Sequence, residues 1–146
     1  MIAHKTFRRD GGFTLIEVMI VMVIIAMLAA LVGPRLVGAL SGSKVKATKI
    51  QIETLANAIE TFHLDTGRYP TQQEGLGVLI ENPQASPVQN WRGPYLKKIK
   101  IPTDEWGKPF VYEIPGKHGM GFDLISMGAD GKAGGSADDA DIGNWD

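Results

Sequence analysis

The residues in this chain that are best suited to chemistry are carboxylates near the C-terminus. Residues 130–146 contain five Asp and one Lys. Four of these Asp lie within twelve residues, among three glycines: Asp130, Asp138, Asp139 and Asp141, with Gly131, Gly134 and Gly135. Hard oxygen ligands on a flexible loop suit Ca²⁺, which takes about six to eight oxygens in irregular geometry. The spacing is not that of an EF-hand, and a solvated acidic terminus explains the same composition equally well.

A single carboxylate, Glu17, lies inside an apolar segment. Phe13 to Val32 forms a mainly apolar run, and no charged side chain occurs between Val18 and Pro34. A helix of roughly 20 apolar residues spans a bilayer, and a carboxylate within it costs roughly 3 kcal/mol and marks a functional position. No Lys or Arg lies within one helical turn, so a cation must come from elsewhere; a new N-terminus at Phe13 would supply one. The alternative is a Glu side chain that reaches the membrane interface.

Charge around the apolar run predicts its orientation. Three basic residues precede it: Lys5, Arg8 and Arg9. By the positive-inside rule, residues 1–12 stay in the cytoplasm and the C-terminus crosses the membrane. An ordinary secretory signal peptide, cleaved between Ala26 and Ala30, is the alternative. The length of the run and the helical pattern beyond it disfavour that alternative.

The pattern after the apolar run predicts an amphipathic helix. Gly33-Pro34 interrupts the run, and we expect a kink or a locally melted stretch there. Beyond Lys44, side chains recur at helical spacing: Val45, Thr48, Ile52, Leu55, Ile59 and Phe62. We expect this face to pack on a C-terminal sheet and the helix to end near Thr66, with Gly67 as a left-handed cap.

The C-terminal half predicts a small antiparallel sheet and an α+β fold. Residues 73–79 form a short helical turn, and residues 108–114 alternate as a strand. Residues 122–126 pair with that strand across a loop at 115–121. We expect about three strands against the helix.

Several classes of function are excluded or unsupported. The chain has no cysteine, which removes thiolate metal sites, thiol nucleophiles and disulfides. A net charge of −1 gives no reason to expect a nucleic-acid partner. His4, His63 and His118 are far apart in sequence and are predicted at the surface. No paired base and nucleophile is visible, so we do not predict an enzyme.

The N-terminal residues carry a family resemblance. Gly12-Phe-Thr-Leu-Ile-Glu17 and the following apolar helix resemble the class III signal of type IV pilins and pseudopilins. The resemblance implies that an inner-membrane prepilin peptidase cuts after Gly12 and methylates Phe13. It also implies that Glu17 is needed for assembly. The predicted organisation is a leader at 1–12, a transmembrane and filament-core helix at 13–34, and a periplasmic domain at 35–146.

Other stretches resemble the major pseudopilin of type II secretion systems. They are residues 65–70, 93–96, 104–109, 126–131 and 138–142. The family usually has Pro where Glu105 stands, which weakens the predicted turn at Asp104. Major type IV pilins commonly close their C-terminal region with a disulfide, so the lack of cysteine favours the pseudopilin.

The resemblance implies a fold, a ligand and a set of partners. The fold is type IV pilin-like, with a long N-terminal helix on a small sheet that carries a calcium-binding loop. The implied Ca²⁺ ligands are the side chains of Asp130, Asp138 and Asp139 and the Met127 carbonyl. For Asp141 we expect instead that it caps or orients the loop.

The function implied is that of the major subunit of a periplasmic filament, anchored in the bacterial inner membrane, that drives export of folded proteins through the outer membrane. Partners would be further copies of the chain, the prepilin peptidase, minor pseudopilins and an inner-membrane assembly platform. The alternatives are a type IV pilin of a surface pilus and a monomeric, membrane-anchored calcium-binding module.

Overall fold

A computed structural model describes residues 12–97 and 99–146, with only the backbone at 33–37. Contacts between Cα atoms divide the chain into two units, Met1–Ala39 and Leu40–Asp146. The predicted leader residues His4, Lys5, Arg8 and Arg9 lie outside the described residues. Helix α1 runs from Leu15 to Thr66, as the sequence predicts to within two residues.

The first unit contains the apolar part of α1. Leu15–Val32 is long and apolar enough to cross a membrane, and none of it is buried within the chain. Met27, for example, is 72% exposed. A core helix of a soluble domain would be covered, so this surface requires lipid or other subunits. The helix continues through Gly33 and Pro34, so this stretch is not melted here; a bend at this position stays a prediction.

The second unit is built on the amphipathic part of α1. Leu55, Ile59 and Phe62 are fully buried, and so is Thr48, two turns before Leu55. Ile52, one turn before Leu55, is also buried. This is the face that helical spacing predicts.

The helix ends where the sequence places its end. Gly67, just after the last helical residue, has a φ of +76°. Its N–H donates to the His63 carbonyl at 2.8 Å. The predicted left-handed cap is therefore confirmed.

The sheet has three antiparallel strands in the order β1–β2–β3: Val111–Glu113, Asp123–Ser126 and Ile142–Gly143. Tyr112 is paired with Leu124, and Ser126 with Ile142. The predicted hairpin and strand number are confirmed. Strand β1 is shorter than the predicted strand at 108–114. Pro109 and Pro115 flank it, and proline has no backbone N–H to donate to a neighbouring strand.

A segment between helix and sheet completes the core. The predicted helical turn is a 3₁₀ helix at Gly75–Leu79, whose Val78 and Leu79 side chains are buried. Further along, the Tyr95 ring meets Phe62 edge-on, with centroids 5.6 Å apart. The apolar face of α1 is thus covered by this segment as well as by the sheet.

The turn before β1 forms despite the departure at Glu105. The buried Asp104 carboxylate accepts hydrogen bonds from the N–H groups of Trp106 and Lys108 at 3.1 and 2.7 Å. Its other oxygen accepts from the Ser126 hydroxyl at 2.6 Å. A buried carboxylate with these donors fixes the turn without a proline at position 105.

Candidate functional site

The first candidate site is the start of helix α1. Gly12, Phe13 and Thr14 precede the helix and are exposed, with Phe13 at 89%. Among the residues that the structure describes, nothing lies within 4 Å of the place a side chain would take on Gly12. The Gly12–Phe13 peptide bond is therefore accessible and outside the helix.

Thr14 and Glu17 form a reciprocal cap at this helix start. One Glu17 carboxylate oxygen accepts from the Thr14 N–H at 2.8 Å and from its hydroxyl at 2.9 Å. The Glu17 N–H donates back to the Thr14 hydroxyl at 3.3 Å. This capping box satisfies backbone donors that the first turn leaves unpaired. The sequence contains the Thr-x-x-Glu signal of this cap, but the prediction for Glu17 used only its charge.

The charge of Glu17 has neutral partners in this arrangement. In residues 12–97 and 99–146 no ion pair includes Glu17. The box therefore fixes the position of the carboxylate but leaves its charge uncompensated. The Glu17 carboxylate is therefore already oriented for an ammonium group that comes from elsewhere.

The second candidate site is the acidic loop, residues 127–141, between β2 and β3. Its first turn is closed by the Gly131 N–H, which donates to the Met127 carbonyl at 3.0 Å. The Ala129 N–H donates to the Asp138 carbonyl at 2.8 Å, which joins that turn to the second half of the loop. Asp141 accepts from the Gly134 N–H at 2.8 Å and so orients the loop, the role predicted for it.

Some oxygens in the loop are suited to a cation. Among the described residues, Asp138 Oδ1 and Asp141 Oδ1 are buried and have no hydrogen-bond partner, a costly arrangement for carboxylate oxygens. However, no three acidic or histidine side chains gather as a metal site within the described part of the chain. Backbone bonds bring the Met127 and Asp138 segments together, but the predicted side chains do not converge. Carboxylates repel one another when no cation lies between them.

A third cluster joins the hairpin loop to the C-terminal residues. The fully buried Asp123 carboxylate accepts from the Lys117 N–H at 2.7 Å and contacts His118 Nδ1 at 2.9 Å. Burial raises the pKa of Asp123, but these hydrogen bonds outweigh burial and hold it below its ordinary value. The His118 ring also stacks on Trp145 at 3.5 Å. His118 is exposed, as predicted, yet it links the hairpin to the C-terminus, which no local pattern indicated.

Comparison with known proteins identifies the family. A family model described as Type II secretion system (T2SS), protein G matches residues 35–145. A second, described as Prokaryotic N-terminal methylation motif, matches residues 7–33. The chain belongs to the type II secretion system protein G family.

Individual relatives cover almost the whole chain. The match to the type II secretion system core protein G of Pseudomonas aeruginosa is 48% identical over 141 residues, covering 95% of this chain and 97% of that protein. The Aeromonas hydrophila core protein G is 44% identical over 140 residues, covering 94% of each.

A solved relative supports the same fold. It is the major pseudopilin of the type 2 secretion system of enterohaemorrhagic Escherichia coli. The match has a TM-score of 0.63 and 29% identity, covering 77% of this chain and 95% of that one. The predicted pilin-like α+β fold and the resemblance to the major pseudopilin are confirmed, and the surface-pilus alternative is disfavoured. The family is one of structural secretion proteins.

Proposed function

We propose that this chain is the major structural subunit of a type II secretion pseudopilus. In this proposal it polymerises into a periplasmic filament that drives export of folded proteins through the outer membrane. The observation that carries it is the exposed apolar helix with an oriented, uncompensated Glu17 at its start. That surface suits lipid in the precursor and neighbouring copies in a filament.

The processing step follows from the same helix start. We propose that a prepilin peptidase cuts after Gly12 and methylates the new amino group of Phe13. The cut creates an ammonium group close to Glu17 in sequence. Pairing of Glu17 with the ammonium of a neighbouring copy would set the axial register of the filament. Minor pseudopilins and the inner-membrane platform would meet the same helical end.

Mass spectrometry of the mature protein tests this proposal. We expect a chain that begins at Phe13 and carries one methyl group on its terminal nitrogen. A chain that begins near Ala30, as a secretory signal peptide predicts, would contradict the proposal. So would an intact Met1 in cells that contain an active secretion system.

The acidic loop adds a proposal about calcium. We propose that Ca²⁺ binds there through Asp130, Asp138, Asp139 and the Met127 carbonyl. The cation would balance the negative charge of the carboxylates in the loop. The buried Asp138 Oδ1, which has no hydrogen-bond partner in the described part of the chain, supports this proposal.

Chelation tests the calcium site. In the full chain in detergent, EDTA should lower the unfolding temperature, and Ca²⁺ should restore it better than Mg²⁺. Asp138→Asn should abolish that response, while Glu81→Gln, at an exposed position, should keep it. An unfolding temperature that does not respond to EDTA would contradict the site.

A further inference from the structure

Lys108 reaches the acidic loop from outside it. Its side chain is partly buried and its ammonium donates to the carbonyls of Ala129 and Gly128, at 2.5 and 3.3 Å. At Gly131, in the same turn, an added side chain would start 2.7 Å from the Lys108 Nζ. No local pattern in the sequence links this lysine to the acidic loop.

The backbone of Lys108 is fixed independently of its side chain. Its N–H donates to the buried Asp104 carboxylate at 2.7 Å, and its carbonyl accepts from the Asp104 N–H at 2.8 Å. The ammonium is therefore delivered to the loop from a rigid turn. Hydrogen bonds from a charged donor are stronger than neutral ones, so the contact holds the two carbonyls firmly.

The two halves of the acidic loop differ in how they are held. The turn Met127–Gly131 has the ammonium as well as its own closing hydrogen bond. The second half has backbone hydrogen bonds of its own, such as that from the Asp139 N–H to the Ser136 carbonyl at 3.1 Å. It also contains Asp138 Oδ1 and Asp141 Oδ1, which are buried and have no hydrogen-bond partner among the described residues. One half thus has a cation supplied by the chain itself, and the other half contains oxygens that no described donor satisfies.

We propose that Lys108 is a positioning residue for the metal loop, a built-in cation that keeps Met127–Gly131 folded before any metal binds. Residues 134–141 are then the part that the metal orders. The statement about residues 134–141 rests on the calcium binding proposed above; the statement about Met127–Gly131 does not. A folded first turn lowers the entropy cost of metal binding, because the Met127 carbonyl is already in place.

Hydrogen exchange of the full chain in detergent with EDTA tests the metal-free half of the proposal. The wild type should exchange slowly at the Gly131 amide, which donates to the Met127 carbonyl within the first turn, and faster across residues 134–141. The Ala129 amide does not report on the first turn alone, because it donates to the Asp138 carbonyl in the second half. Lys108→Met keeps an unbranched side chain one atom shorter and removes the ammonium group; it should speed exchange at the first turn roughly tenfold, the size of one charged hydrogen bond. Lys108→Arg should restore slow exchange.

Lys132→Met is the matched control, because Lys132 lies in the same loop with an exposed side chain. It removes the same charge without removing the contact, so its first turn should exchange as in the wild type. Equal effects of the two Met variants would overturn the proposal, since general loop charge would then explain both. Exchange in the core of α1 reports whether Lys108→Met has unfolded the domain; in that case the Arg and Lys132 variants decide.

Calcium titration provides the second readout. Lys108→Met should bind Ca²⁺ several-fold more weakly, with Lys108→Arg close to wild type. Unchanged or tighter binding by Lys108→Met would overturn the positioning role. If the wild type binds no Ca²⁺, the calcium proposal fails, while the exchange experiment in EDTA still decides the role of Lys108.

Discussion

The chain contains two Thr-x-x-Glu boxes with the same internal geometry and different surroundings. In both, the Glu accepts from the Thr N–H at 2.8 Å, for Thr14–Glu17 and for Thr71–Glu74. The Thr hydroxyl donates at 2.9 and 3.0 Å, and the Glu N–H donates back at 3.3 Å in each. The local sequence signal thus produces the same structure twice.

The two boxes differ in whether a cation pairs with the glutamate. Arg68 holds Glu74 with two hydrogen bonds, at 2.6 and 2.8 Å, in the fork geometry that guanidinium favours. These bonds, with those from Thr71, lower the pKa of Glu74 to about 2 despite partial burial. Glu17 has no such partner in the described part of the chain. The box at Glu74 is complete within one subunit, whereas the box at Glu17 presents a charge that only another group can neutralise.

The largest expected effect separates the two boxes by function. Glu17→Gln should prevent filament formation, because the amide keeps the cap but cannot attract an ammonium group; the unfolding temperature of the second unit should not change. Glu74→Gln should do the reverse. It should still assemble but lose on the order of 2 kcal/mol of stability, since Arg68 loses its partner. Electron microscopy of filaments and thermal unfolding of both variants measure the two effects.

Normal filaments from Glu17→Gln would contradict the proposed difference between the boxes, because the charge of Glu17 would then have no role in assembly. If both variants lost filaments and lost equal stability, both glutamates would act on assembly only through folding.

The second prediction uses pH. Because the folded-state pKa of Glu74 is lowered from 4.5 to about 2, its contribution is fully present above about pH 4.5. It is lost as pH falls towards about 2. The contribution is on the order of 2 kcal/mol after allowance for Arg68, whose side chain is 41% exposed. The stability difference between wild type and Glu74→Gln should therefore shrink across this range in acid denaturation curves.

A matched control is available in the ion pair between Lys117 and Glu113, at 2.7 Å. Its side chains are 74% and 35% exposed, so Glu113→Gln should cost less than about 0.5 kcal/mol at neutral pH. A difference between wild type and Glu74→Gln that stays constant from pH 6 to pH 2 would show that the Arg68 pair contributes nothing through charge.

The boxes also show which features of this fold were predictable. Helical spacing identified Leu55, Ile59 and Phe62 as core, because burial of a helix face leaves a regular trace in sequence. Contacts across many residues leave none: Lys108 meets a carbonyl 21 residues away, and no pattern links them. The sequence predicts acidic ligands at Asp130, Asp138 and Asp139, but these side chains do not gather as a metal site among the described residues, so calcium binding there stays a prediction.

The smallest expected effect concerns the hydroxyl of the complete box. Thr71→Val removes the hydrogen bonds that join this hydroxyl to Glu74 but leaves the Thr71 N–H and the Arg68 pair. We therefore expect a loss of about 1 kcal/mol or less in the free energy of unfolding by denaturant. Thr61→Val is the control, because the exposed Thr61 hydroxyl donates to the Asn57 carbonyl in its own helix at 2.8 Å; it should be nearly neutral. If Thr71→Val costs as much as Glu74→Gln, the hydroxyl rather than the arginine holds that carboxylate. The Arg68 pair would then distinguish the two boxes less than we infer. The argument that Glu17 needs a cation from another group would be weaker for the same reason.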